Sequence, residues 1–203
     1  FDLAFKYRNP AIILADGVIG QMMEKVVLPE QRPRLTNEEV MARCPWATFG
    51  KLKHRGPNIV TSLELDPAEM EKRNIHLQQK YAEIEEKEVR YEEIHCDDAE
   101  YLIVAFGSCA RIAQKAMEEA RAEGIKVGLL RPITLWPFPS KAIAERSRQV
   151  KGILTVELNA GQMVEDVRLA VECKVPVEYF GRLGGIVPDP DEVVTALKEK
   201  IIK

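Results

Sequence analysis

Three short stretches of this chain carry residue types and spacings able to do chemistry. In Phe106-Gly107-Ser108-Cys109-Ala110-Arg111 the glycine permits a tight turn and the serine can cap a following helix. Exposed backbone N–H groups beside Arg111 would suit an anion there, although a plain capped helix start explains Gly107 and Ser108 equally well. In Glu157-Leu158-Asn159-Ala160-Gly161-Gln162 the polar residues Glu157, Asn159 and Gln162, with Gly161, exceed what a turn requires. Both a turn and a ligand or interface role stay open for them. The third stretch, Gly181-Arg182-Leu183-Gly184-Gly185, has three glycines in five positions and predicts close backbone approach.

Several reaction types fall for want of parts. A dinucleotide fingerprint needs three glycines, and residues 107–112 supply only Gly107; Arg131-Pro132 stands where the ribose-binding acid would be. Lys51 in Gly50-Lys51-Leu52 lacks a phosphate-loop pattern around it. Ser108 is not in a G-x-S-x-G elbow, and His54, His76 and His95 all lie upstream of the region that would need a base. Cys44, Cys96, Cys109 and Cys173 form no C-x-x-C pair, which argues against a zinc or iron–sulfur site and for free thiols in a reducing cytoplasm. No metal ligands and no complete catalytic set are visible.

The elements that would position these stretches follow from periodicity. From residue 100 onward, apolar strands alternate with helices. Strands are expected at 101–106, 125–130, 152–158 and 175–180, and helices at 111–123, 140–150 (capped by Ser140), 163–173 and 191–201. Near-continuous Val, Ile and Leu in the strands predicts an α/β fold, a parallel sheet with helices on both faces. In such sheets the loops leaving the carboxyl ends of strands are where ligands and partners meet the protein, and all three stretches lie there.

Upstream, residues 1–7 read as a helix stopped by Asn9-Pro10, and Ala11–Ala15 as a buried strand ended by Asp16-Gly17. Prolines 29, 33, 45 and 57, with Pro67 just beyond, predict an extended connection over 28–63. Asp66 as cap and Pro67 as first residue then open an acidic helix, with Met70, Leu77, Ile84 and Tyr91 repeating every seven residues along one seam.

Composition bounds the rest. The 203 residues are 46% apolar and 30% charged, with 29 Lys+Arg against 32 Asp+Glu, a formal net charge of -3. That excludes a disordered chain and argues against a nucleic-acid protein, while apolar runs of about six residues are far short of the ~20 that span a membrane. The charge is uneven: residues 64–100 hold 13 acids and five bases, so this segment is -8 and the remainder +5. The opening Phe1-Asp2-Leu3-Ala4-Phe5 has neither Met nor a signal pattern and reads as an interior cut into something longer.

The motifs taken together resemble a known family. Asn9-Pro10-Ala11-Ile12-Ile13-Leu14-Ala15-Asp16-Gly17 and Gly20-Gln21-Met22-Met23-Glu24 look like the end of a thiamine-diphosphate pyrimidine domain. Gly107–Arg111, Gly124-Ile125-Lys126-Val127-Gly128-Leu129-Leu130-Arg131-Pro132, Leu135-Trp136-Pro137-Phe138-Pro139 and Glu157–Met163 continue the likeness. Their order and spacing resemble the α subunit of 2-oxoacid:ferredoxin oxidoreductases, C-terminal portion. Gly56-Pro57-Asn58-Ile59-Val60, Tyr81 and Val89-Arg90-Tyr91-Glu92 look most like the branched-chain (2-oxoisovalerate) type.

The resemblance implies oxidative decarboxylation of a 2-oxo acid to an acyl-CoA. The implied cofactors are thiamine diphosphate, Mg2+, iron–sulfur clusters and coenzyme A, none bound by this chain, with ferredoxin as electron acceptor. It further implies that residues 1–27 end the pyrimidine domain, 28–99 are a linker with the acidic helix, and 100–203 form a transketolase C-terminal-like domain. The glutamate that activates the cofactor in the family lies earlier in the pyrimidine domain, and the diphosphate–Mg2+ site and a cluster lie on a partner subunit. No catalytic residue transfers, so this chain is expected to be inactive alone and to serve subunit assembly, pairing with a second copy when its partner is absent. The rival expectation is a non-enzymatic regulatory domain that binds an anion or coenzyme A at Ser108 and Arg111.

Overall fold

Apolar strands whose alternate residues are buried on opposite sides dictate the centre of this structure. Leu102, Ile103, Val104, Leu129, Leu130, Ile153 and Leu154 are all at most 1% exposed. A computed structural model describes residues 1–48, 50, 53 and 56–202; Lys51 and His54 lie outside the described residues. Four helices come first: α1 (Asp2–Tyr7), α2 (Gly17–Gln21), α3 (Asn37–Arg43) and α4 (Pro67–Lys87). They are followed by β1 (Tyr91–Ile94), β2 (Tyr101–Ala105), α5 (Gly107–Ala122), β3 (Val127–Pro132) and α6 (Ser140–Arg146). Then come β4 (Ile153–Glu157), α7 (Met163–Val171), β5 (Val177–Gly181) and α8 (Pro190–Leu197), which runs on into a π-helical turn over Lys198–Ile202.

Among the described residues the sheet has five strands in the order β1-β3-β2-β4-β5. Strands β2 to β5 are parallel, with Ile103 beside Leu129 on one flank and Leu154 on the other. On one face Ile103, Ala105, Leu129, Leu154 and Val156 pack with α5 and α8; on the other Leu102, Val104, Leu130 and Ile153 pack with α6 and α7. Burying each large apolar side chain contributes roughly 1.5–3 kcal/mol. The α/β class, with helices on both faces of the sheet, is as expected.

Several local expectations change. Residues 11–15 form no strand: Ile12, Ile13 and Leu14 are 80%, 93% and 72% exposed, and among the described residues no strand pairs with them to complete a ladder. Tyr91 belongs to β1 rather than to the acidic helix, which ends at Lys87, and β1 adds an antiparallel edge that pairs Tyr91 with Pro132. The connection over 28–63 contains α3, opened by a capping box in which Thr36 and Glu39 each accept the other's backbone N–H. Ser140 is the first residue of α6, after Pro139, and does not cap it; that helix stops at Arg146, where Ser147 Oγ donates to the Ala144 carbonyl. Asp66 does cap α4, accepting from the N–H of Ala68 and Glu69.

The chain divides into two compact units, Phe1–Met22 with Gln79–Lys203, and Met23–Gln78. These divisions fall at 22/23 and 78/79. In the first unit, Lys6 Nζ and Tyr7 Oη donate to Glu88 at 2.6 Å, and Asp16 meets the start of α5, so the first 22 residues pack with the sheet region. Tyr81 and Trp136 also meet there, edge to face with centroids 5.7 Å apart. In the second unit Asn58 donates to the Pro45 carbonyl and Arg73 to that of Thr61.

The acidic segment is answered by bases from other elements. Glu92 pairs with Arg131 (2.8 Å), Glu93 with Arg146 (2.5 Å), Asp98 with Arg121 (2.6 Å) and Glu100 with Lys151 (2.5 Å). Gly128 in β3 lies against the turn after β1, so that an added Cβ would come 2.9 Å from the His95 carbonyl oxygen and 3.0 Å from Cys96 Cα. Gly128→Ala is therefore expected to lower stability by about 1–3 kcal/mol in urea unfolding, with no change in the slope of the transition.

Candidate functional site

The two polar stretches singled out in the sequence lie at the carboxyl ends of the central strands β2 and β4. At the first, Gly107 has φ +58, a left-handed conformation that glycine adopts without penalty, and it turns the chain from β2 into α5. Ser108 is buried but does not cap α5, which has no side-chain cap. Its Oγ instead donates to Asp16 Oδ2 at 2.7 Å. The other oxygen, Asp16 Oδ1, accepts from the Ile19 N–H at 2.8 Å and caps α2. These bonds, Ile19 first and Ser108 next, hold the Asp16 carboxyl below its ordinary 3.8. Arg111 is exposed one turn further along α5.

At the second stretch Glu157 is 1% exposed and fully engaged. Its Oε2 accepts from the N–H of Gln162 (3.2 Å) and Met163 (2.8 Å) and from Asn159 Nδ2 (3.1 Å), while Oε1 accepts from the N–H of Val164 (3.0 Å). Helix α7 begins after Gln162, whose own side chain makes no cap, so Glu157 supplies acceptors to a helix start that otherwise lacks them. Asn159 Oδ1 accepts from the Gly161 N–H at 2.7 Å, Tyr179 Oη donates to the Asn159 carbonyl, and Gly161 adopts φ +99 to close the turn. Glu157, Asn159, Gly161 and Gln162 are thus brought together around one helix terminus.

Cys109 follows Ser108 in α5 and is buried. Burial, then the charges of Glu157 and Asp16, push its thiol up to about 11, which leaves it a protonated, unreactive core residue. Cys96 is likewise raised to about 11, by burial and then Glu93. Among the described residues no group of three or more His, Cys, Asp or Glu could hold a metal ion. An anion at Ser108 would meet a carboxylate already bonded to the hydroxyl, so the start of α5 does not fit a phosphate group of a cofactor.

Asp16, Tyr179 and Gly181 complete the site, and only Gly181 belongs to a stretch singled out in the sequence. Asp16 was legible only as the end of an apolar run, since Ser108 is 92 residues away. Tyr179 lay within an expected strand. Gly181 was one glycine among three, yet Gly184 and Gly185 face open space, whereas a Cβ on Gly181 would run into the Tyr179 hydroxyl and lie 2.8 Å from the Glu157 carbonyl oxygen.

Comparison with known proteins gives this architecture its place. Residues 99–193 match the family model described as pyruvate:ferredoxin oxidoreductase core domain II. The ketoisovalerate oxidoreductase subunit VorB of Methanothermobacter thermautotrophicus is 47% identical over 199 residues, 98% of this chain and 54% of that protein. The 2-oxoglutarate synthase subunit KorA of Archaeoglobus fulgidus is 31% identical over 192 residues, 93% of this chain and 53% of its own length. Among solved structures, 2-oxoglutarate:ferredoxin oxidoreductase from Magnetococcus marinus, with 2-oxoglutarate, coenzyme A and succinyl-CoA bound, superposes with a TM-score of 0.59 and 25% identity. That match covers 67% of this chain and 24% of the solved one.

The chain belongs to the 2-oxoacid:ferredoxin oxidoreductase subunits. It spans about half the length of the curated relatives it matches. A second ketoisovalerate oxidoreductase subunit VorB, from Methanothermobacter marburgensis, is 46% identical over 199 residues, 98% of this chain and 54% of that protein. The relatives are named as subunits of oxidoreductases, which does not favour the alternative of a non-enzymatic regulatory domain.

Two outcomes follow from the site. Glu157→Ala leaves several amides at the start of α7 without an acceptor and is expected to cost about 2–4 kcal/mol in urea unfolding. In isothermal calorimetry, phosphate and coenzyme A are expected to give no saturable heat with this chain; a saturable heat abolished by Arg111→Ala would establish an anion site at α5.

Proposed function

We propose that this chain is part of the α subunit of a 2-oxoisovalerate:ferredoxin oxidoreductase and serves that enzyme as an assembly domain, shaping the cofactor cleft from outside. The reading is carried by the 47% identity to a ketoisovalerate oxidoreductase subunit across 98% of the chain. In it, residues 1–27 finish a pyrimidine domain, 28–99 link, and 100–203 form the transketolase C-terminal-like domain. Thiamine diphosphate with Mg2+ would supply the decarboxylation chemistry, iron–sulfur clusters the electron transfer to ferredoxin and coenzyme A the acyl acceptor. These groups sit elsewhere in a cytoplasmic holoenzyme that includes a thiamine diphosphate/iron–sulfur subunit.

What this chain's residues do is hold and exclude. Glu157 fixes the start of α7, Asp16 and Ser108 fix α2 against α5, and the closed strand ends present a shaped surface rather than an open pocket. Gly107, Ser108, Arg111, Glu157, Asn159, Gly161 and Gln162 are accordingly interface-supporting positions, and none is assigned a proton or a substrate atom. The exposed Ile12, Ile13 and Leu14 also offer apolar surface for pairing with a second copy in the partner's absence.

The complete α subunit, assembled with its partner subunits, is expected to reduce ferredoxin with 2-oxoisovalerate and coenzyme A in preference to 2-oxoglutarate or pyruvate. The 203-residue chain alone is expected to release no CO2. A holoenzyme preferring 2-oxoglutarate would overturn the branched-chain assignment, and turnover by the chain alone would overturn the assembly role.

A further inference from the structure

The junction of β2 and β4 is where this sheet changes direction. From β2 the chain runs through α5 to β3 on one side, and then returns through α6 to β4 on the other. A crevice at such a point, beyond the carboxyl ends of the strands, is where open α/β sheets take ligands. Here Ser108 stands at the start of α5 and Glu157 at the end of β4, and Asp16 meets Ser108. Glu157 and Asp16 both raise the Cys109 thiol through their charges, burial being the larger cause. Ile19 follows Asp16 in, with Cδ1 4.0 Å from where a Cβ of Gly107 would stand.

Helix α2 has five residues and buries none of them fully, far fewer than the ~12–15 at which an isolated helix becomes even marginal. It must be held from outside, and Asp16 does so with both oxygens: Oδ1 on the Ile19 N–H within α2, and Oδ2 on the buried Ser108 hydroxyl of α5. We propose that Asp16 and Ser108 form a latch that straps the chain's own residues 16–21 across the switch-point crevice. The place that related sheets give to a ligand is occupied by an internal segment. Asp16 and Ser108 are positioning residues in this arrangement, and the latch also anchors the point from which the exposed residues 11–15 depart.

The latch rests on this geometry and not on the proposed enzyme, so its test needs no turnover. Amide hydrogen exchange is measured on the full chain and on Ser108→Ala, Asp16→Ala and the double variant. Ser108→Ala keeps the Asp16 cap on α2 and removes only the bond to α5. Exchange at residues 18–22 is expected to rise about tenfold in Ser108→Ala, the worth of one hydrogen bond to a charged group, while the amides of β4 stay unchanged. The double variant is expected to exchange no faster than Asp16→Ala alone, because the shared bond is already lost. Exchange at 18–22 within twofold of the parent in Ser108→Ala, an equal rise in β4, or fully multiplicative single effects would each overturn the latch.

Discussion

Glu157 ends the central strand β4 with its carboxylate sealed from water and surrounded by four donors, three of them backbone amides of the following turn. A buried carboxylate is tolerated only when its lone pairs are met, and unpaired amides at a helix start are costly for the same reason. Each here satisfies the other. The direction in which α7 leaves the sheet follows from this exchange, and with it the packing of Met163, Val167 and Val171 on one face of the sheet. The turn over Asn159 and Gly161, and the Tyr179 hydroxyl that closes on it, depend on the same anchor.

At the neighbouring strand end a second carboxylate works differently. Asp16 comes from a segment far off in sequence and brings with it a short helix that could not stand alone. Together the two acids engage the chain's own donors at the carboxyl ends of β2 and β4.

The parts legible in the sequence were those set by short-range physics. Runs such as Leu102–Ala105 and Ile153–Val156 declare buried strands, and Asp66-Pro67 declares a helix start. Glu157 stood out as too polar for a turn, and its partners lie only five to seven residues on. The clue to its role was that Gln162 is a poor cap, so the acceptor had to come from another residue. What could not be read were pairings at a distance. Asp16 and Ser108 meet only because the chain folds, and β1 is a strand because β3 offers it an edge. Residues 11–15 have strand character but no neighbour to pair with. Within the -8 segment, Glu93 is about three-quarters buried in its ion pair with Arg146, which is buried to the same extent. Such a pair carries more than the exposed ones around it, which contribute little.

The account turns on Glu157 as an internal anchor rather than a reacting group, and the amides it binds report on that directly. Hydrogen exchange read by nuclear magnetic resonance at Met163 and Val164 should be slowed to within about tenfold of the core amides of β4, although first-turn helix amides ordinarily lack partners and exchange early. Fast exchange at Met163 and Val164 beside a protected β4 would contradict it, and would show a carboxylate left available for other chemistry.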